Sequence, residues 1–264
     1  YIIDHPAETV RLSIGELAET CSTSISTVVR LCKTAGYSGY KEFCRDLSIE
    51  VAQSPSVSSE EYGDILSGGS MESIMNAVCS NSVTAIENTM AVLDPAELEK
   101  AVSAISAAKR VDFYGIGTSG HVAMDAYNKF VRINKLSMST SDPHQQVLNA
   151  SQLVPGDVAV LISYSGDTKD ILETADVVKQ AGATLISLTR YSKNPLSKMA
   201  DICLYSSSSE ALVRSGAMGS RIGQLTIIDI LYTAVASFDY SQIKSQLDKT
   251  RLAAAKKHTD FKMD

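Results

Sequence analysis

From residue 111 onward the chain alternates short, nearly unbroken apolar runs with amphipathic stretches of helical period. The runs occupy 111–116, 136–140, 158–163, 184–189 and 202–205, and segments such as 119–132 and 168–181 lie between them. Strands with little polar alternation are covered on both faces, and strand–helix alternation marks βαβ units. The pattern therefore predicts an α/β module with a parallel five-stranded sheet and helices on both faces. Residues 1–52 carry helical signals only. Between the two parts, 53–70 reads QSPSVSSEEYGDILSGGS, with six Ser, three Gly, one Pro and no basic residue. That is linker chemistry. We expect an all-α head over 1–52, a linker over 53–70, the α/β domain over 71–240 and a charged, helical tail over 241–264.

Within the head, Ser13-Ile14-Gly15-Glu16 matches a capping box, and the helix it opens stops about two turns later. Ser24 is a good N-cap for a second helix that runs to Gly36, a suitable C′ residue. Spacings of three and four put Ile25 or Val28, Leu31 and Cys32 on a buried stripe, with Ser26, Thr27, Arg30 and Lys33 opposite. Two short helices joined by a tight turn form a helix-turn-helix, whose second helix enters the DNA major groove N-terminus first. Ser24, Ser26 and Thr27 are small enough for close approach, Arg30 suits a bidentate contact to guanine, and Lys33 suits a phosphate. Spacing alone leaves open a small packing domain with a solvated polar face.

Charge narrows the choice. The chain holds 24 Lys+Arg against 30 Asp+Glu, a net −6, which excludes binding nucleic acid with the whole surface. The head has five basic residues against seven acidic, but Arg30, Lys33, Lys41 and Arg45 cluster on and just after the second helix. A hydrophobic share of 44% with 20% charged residues excludes wholesale disorder. No apolar run approaches the roughly 18–20 residues of a membrane span, and no leader pattern is present. We expect a cytoplasmic protein without membrane contact, and residues preceding Tyr1, where the sequence starts inside a helical pattern. Five cysteines (21, 32, 44, 79 and 203) form no CxxC pair and read as small apolar fillers in a reducing compartment. His and Cys spacing suggests no metal site.

Two loops carry the candidate chemistry. Gly115-Ile116-Gly117-Thr118-Ser119-Gly120 joins a predicted strand to a predicted helix. Glycines let backbone N–H groups approach an anion that the helix N-terminus favours. Formally this is G-x-G-x-x-G, and Asp142 follows at the distance of a dinucleotide fingerprint, so a dinucleotide-binding redox sensor is one alternative. The second loop, Ser163-Tyr164-Ser165-Gly166-Asp167-Thr168, adds hydroxyls at another strand–helix junction. A dinucleotide fold does not call for it, whereas a phosphate monoester shared between two neighbouring strand ends does. Ordinary helix caps without ligand are the bland alternative.

The stretch 13–43 resembles the DNA-binding head of the RpiR family of bacterial transcription regulators. It departs at Ser22, where such turns usually have Gly, and at Thr23, where an apolar residue usually plugs the turn. The pair G-x-G-T-S-G and S-x-S-G-x-T resembles the SIS domain, a doubly wound sugar-isomerase fold, over about 95–238, including the segments 210–215 and 220–229. The resemblance implies a phosphosugar effector held by Gly117, Thr118, Ser119, Ser163, Tyr164, Ser165 and Thr168. Glu210, His144 and Gln145 would meet sugar hydroxyls. It also implies operator DNA, no cofactor, and a homodimer or higher homo-oligomer through the SIS domain. Segment 206–215 looks closest to MurR-type regulators of amino-sugar recycling, which sense N-acetylmuramic acid 6-phosphate. SIS relatives also include isomerases and a lyase, for which Glu210, His121 and His144 would be the candidate bases. The attached head gives the domain a use without turnover, so a regulator is expected rather than an enzyme.

Overall fold

The computed structural model describes residues 1–53, 68–207, 217–238 and 240–255, and the chain divides into two compact units, one starting at Tyr1 and one at Ser70. The first contains α1 (Pro6–Thr9), α2 (Ile14–Thr20), α3 (Ile25–Thr34) and α4 (Tyr40–Gln53). The second holds α5 (Met71–Val92), α6 (Pro95–Ala107), β1 (Val111–Gly115), α7 (Thr118–Arg132), β2 (Ser139–Thr140) and α8 (Pro143–Ala150). It continues through β3 (Val158–Ile162), α9 (Lys169–Gln180), β4 (Thr184–Arg190), α10 (Pro195–Met199), β5 (Ile202–Ser206), α11 (Met218–Phe238) and α12 (Tyr240–Ala255). Most of the expected linker (54–67) and the end of the tail (256–264) lie outside the described residues.

In the first unit the capping box forms. Ser13 Oγ accepts from the Glu16 amide at 3.3 Å, and Glu16 accepts from the Ser13 amide at 2.7 Å. Those bonds to Ser13 hold the Glu16 carboxyl below its usual range. The turn after α2 is a Schellman motif: the Ser22 amide donates to Glu19 O and the Thr23 amide to Ala18 O, with Ser22 at φ 50°. The glycine expected there is thus replaced by a serine in the same left-handed conformation. Gly36 closes α3 in the same way at φ 89°. Leu17, Ala18, Val28 and Cys32 form the core, with Ile2, Leu12, Tyr37, Tyr40 and Phe43 against it. The expected α3 stripe needs correction. Val28 and Cys32 are buried, but Ile25 is 52% and Leu31 50% exposed. So small a core reaches only one narrow strip of the helix, and residues turned away from that strip lie outside it.

In the second unit the sheet order is β2-β1-β3-β4-β5, all parallel. Successive strand residues serve opposite layers. Val111, Phe113, Val160, Ile162, Ile186 and Leu188 pack with α6, α7 and α11, while Tyr114, Ala159, Leu161 and Leu185 pack with α8, α9 and α10. The α/β, doubly wound expectation holds. β2 is shorter than expected, and Asp112 supplies a reason. Its buried carboxylate accepts from the Met138 amide at 3.1 Å, from Tyr114 Oη at 2.6 Å, and from Arg110 Nη2 at 2.7 Å. A side chain therefore takes an amide beside the strand ladder. Burial, with Asp112 alongside, pushes the Tyr114 hydroxyl well above its usual range.

Among the described residues no single helix is long and apolar enough to cross a membrane, and no group of three or more His, Cys, Asp or Glu could hold a metal ion. None of the five cysteines is in a disulfide; Cys32 is buried as a filler, but Cys21 and Cys79 are exposed, which corrects that expectation for them.

Candidate functional site

The strand order reverses between β1 and β3, so the loops after these strands diverge and leave a crevice at their C-terminal ends. Gly115 ends β1, where a Cβ would sit 2.5 Å from Ser119 O; only glycine lets the chain fold back this tightly into α7. Gly117, at φ 59°, is the N-cap of α7 and has no side chain to offer its first-turn amides. Thr168, the N-cap of α9, makes no side-chain cap either. Its Oγ1 lies 3.2 Å from Ser163 Oγ instead.

Four other helix starts in this unit behave differently. Ser70, Asp94, Asp142 and Asn194 each accept a first-turn amide with their own side chain, at the starts of α5, α6, α8 and α10. The two helices that begin at the crevice thus keep amide donors without a side-chain cap, at the positive ends of their dipoles. The arrangement is chemically suited to an anion.

The second loop is braced from beside. The Arg190 amide donates to Tyr164 O at 2.8 Å and the Leu196 amide to Gly166 O at 3.0 Å, tying the loop to the β4–α10 connection. Gly166, at φ 71°, lies against Asn194, and a Cβ there would collide with that side chain. Ser163 Oγ accepts from the Gly166 amide at 3.2 Å, and Ser165 Oγ lies 3.5 Å from the Asp167 amide. Thr118, Ser119, Tyr164, Ser165 and Thr168 are half-buried, and Gly117 is exposed.

Two residues at this end of the sheet escaped the sequence reading. Gln146 is fully buried, and its Nε2 donates to Gly115 O at 2.9 Å and Thr140 O at 2.7 Å, joining the ends of β1 and β2. Gln224, on α11, is buried with its amide 3.4–3.5 Å from Ser119 Oγ. The available signal was a lone amide inside the mostly apolar Ile222–Ile228 stretch of α11. His144 and Gln145 are exposed on the first turn of α8, and their amides bond to Asp142 Oδ1. Asp142 is accounted for as that cap. His121 is exposed on α7, and Glu210 lies outside the described residues.

In the head, Ser24 Oγ accepts from the Thr27 amide at 3.2 Å, fixing the start of α3. Ser24, Ser26, Arg30 and Lys33 are exposed, Thr27 half-buried, and all lie off the Val28–Cys32 strip. Among the described residues no ion pair engages Arg30 or Lys33. Arg45 differs: it pairs with Asp46 at 3.1 Å and approaches Glu42 at 4.0 Å, so it adds little free charge to the basic cluster.

A helix-turn-helix head joined to a doubly wound domain with an anion-suited crevice defines a two-part regulator. Residues 1–54 match the helix-turn-helix domain of the rpiR family and residues 104–234 match the SIS domain. The chain belongs to the RpiR family of transcription regulators. It is 43% identical over 251 residues, covering 95% of the chain and 88% of the relative, to an HTH-type transcriptional regulator of Caldanaerobacter subterraneus. It is 33% identical over 235 residues, 89% of the chain and 81% of the relative, to the HTH-type transcriptional regulator HexR of Pseudomonas aeruginosa. Among solved structures, the Vibrio vulnificus NanR protein complexed with ManNAc-6P superposes with a TM-score of 0.70 at 25% identity, covering 98% of this chain and 92% of that one. Relatives that match along most of both chains bear regulator names, and the chain is a transcription regulator rather than an enzyme.

Proposed function

We propose that this regulator senses a phosphorylated sugar, a hexose or amino-sugar 6-phosphate, in the crevice between the ends of β1 and β3. N-acetylmuramic acid 6-phosphate falls within that class. The phosphate sits on the first-turn amides of α7 and α9, with Gly117, Thr118 and Ser119 on one side and Ser163, Tyr164, Ser165 and Thr168 on the other. His144, Gln145 and Glu210 meet sugar hydroxyls. The single observation that carries this reading is the absence of side-chain caps on the two helices that start at the crevice. NanR, with its bound ManNAc-6P, supports the same class of effector.

The head, proposed to span 1–52, reads operator DNA with α3. Ser24, Ser26 and Thr27 approach the bases and backbone, Arg30 contacts guanine and Lys33 a phosphate. A linker over 53–70 connects it to the effector domain over 71–240, followed by the tail over 241–264. The protein works in the cytoplasm as a homodimer through its SIS domain, and two-fold symmetry calls for a palindromic operator. Effector and operator affinities are then linked reciprocally: whichever way the sugar phosphate changes DNA affinity, DNA changes sugar-phosphate affinity by the same factor.

Isothermal titration of the full chain with a panel of hexose and amino-sugar 6-phosphates tests the reading. Saturable binding of at least one, lost in Ser119→Ala plus Ser165→Ala, is the expected result. Binding to none, or binding unchanged in the double variant, would remove the crevice as the site.

A further inference from the structure

We infer that α5 packs antiparallel against α5 of a second copy, with the two-fold axis passing between Ser80 and Asn81. The inference rests on the proposed dimer and specifies its contact. The inner face of α5 is firmly docked on its own protomer. Thr89 Oγ1 donates to Ser207 O at 3.0 Å, the Ser207 amide donates back at 3.2 Å, and Gly223 of α11 lies so close that a Cβ there would fall 2.6 Å from Thr89 Oγ1. Ala85 is buried on the same side.

Exposed apolar side chains run along the helix, with Met71 and Val78 in its first half on the stripe that Ala85 and Thr89 bury further on. Met71, Met75, Val78, Val83, Ile86 and Met90 are each between 39% and 71% exposed. Residues 73–86 contain no charged side chain, although an outward-facing helix of a lone domain normally carries several. The order of the apolar residues is itself symmetric. Reflected about the midpoint of Ser80 and Asn81, Met71 exchanges with Met90, Met75 with Ile86, and Val78 with Val83. An isologous contact requires this property: the patch must be complementary to itself under a two-fold rotation. Ile74 is the exception, because it faces Glu87.

Beside Ile86 a groove of about 480 Å³ runs between α5 and α11, lined by Thr226, Ile230, Thr233, Ala234 and Asp229, whose carboxylate is paired with Lys129 at 2.6 Å. In the proposed register the partner's Met75 stands opposite Ile86, where a flexible thioether can fill an irregular gap. The six side chains offer on the order of 600 Å² per copy, close to the roughly 800 Å² per partner of a standard stable interface. A second copy is therefore the occupant that fits both the symmetry and the size of the face.

The register can be read by cross-linking the full chain. Residue 79 stands opposite residue 82 of the other copy, so Ser82→Cys, in a Cys21→Ser background, should give a covalent dimer under mild oxidation. Peptide mass spectrometry should find the Cys79 to position-82 link, formed at least tenfold faster than any link in a Ser73→Cys control. Separately, Met75→Glu should raise the dimer dissociation constant at least 100-fold in sedimentation while leaving the circular dichroism spectrum unchanged. A dimer indifferent to Met75→Glu and lacking the link would overturn this contact and leave the dimer standing. A monomeric parent chain would overturn both. A wild-type dimer in which Met75→Glu instead frees a contact with the head of the same chain would assign the face to that head, and so also overturn the inference.

Discussion

α8 and α7 begin on neighbouring strand ends, as do α10 and α9, yet the two members of each pair start differently. Asp142 and Asn194 turn their own side chains onto the first amides of α8 and α10. Gly117 and Thr168 leave the amides of α7 and α9 without such a cap. A cap replaces a ligand: it satisfies the orphan donors with an oxygen that never leaves. Where the donors are kept for an incoming anion, the sequence has a residue with no side chain, or a hydroxyl drawn away to Ser163. The contrast separates helix starts built for stability from helix starts kept for binding, within one sheet.

The strongest way to break this contrast is to cap α9. Thr168→Asp should place a carboxylate on its first-turn amides, raising the urea midpoint slightly and weakening sugar-phosphate binding at least 100-fold, about 2.7 kcal/mol. Full affinity in that variant would refute the role given to the amides. In the head, where helix polarity serves DNA, Arg30→Ala should weaken specific operator binding by roughly 1–3 kcal/mol in a gel-shift titration. An equal loss on unrelated DNA would make Arg30 a phosphate contact only. Removing a stabilising cap should lower stability and leave binding nearly unchanged. Asp142→Ala is expected to cost about 1 kcal/mol in urea unfolding and to change effector affinity less than twofold. The smallest effect is expected at the head's turn. Ser22→Gly relieves a left-handed serine and should stabilise the head by about 1 kcal/mol, readable as a higher melting temperature, without changing operator preference.

Much of this was legible before any coordinates. The apolar runs marked all five strands, the capping box at Ser13 and the N-cap at Ser24 marked the head, and the order of the two loops marked the crevice. These signals are local, carried by residues within one turn or one strand of each other. What escaped is what depends on distant partners. Gln146 and Gln224 look like surface amides until β1, β2 and α7 come beside them. β2 shrinks because Asp112, on another strand, reaches a Met138 amide. Leu31 has a spacing of three from Val28 but is exposed, since the head's core meets α3 only along the Val28–Cys32 strip. The α5 face was unread because its meaning lies in symmetry with another copy, which no pattern of period alone announces.

The central claim, that uncapped amides at the starts of α7 and α9 hold a phosphate, is most directly tested by backbone amide NMR during titration with a bound sugar 6-phosphate and its dephosphorylated counterpart. Large shifts are expected at Thr118, Ser119, Lys169 and Asp170 with the phosphorylated sugar only, and small ones at the capped amides of Ala96 and Ser197. Comparable shifts at the capped starts of α6 and α10, or none at α7 and α9 under saturating ligand, would contradict it.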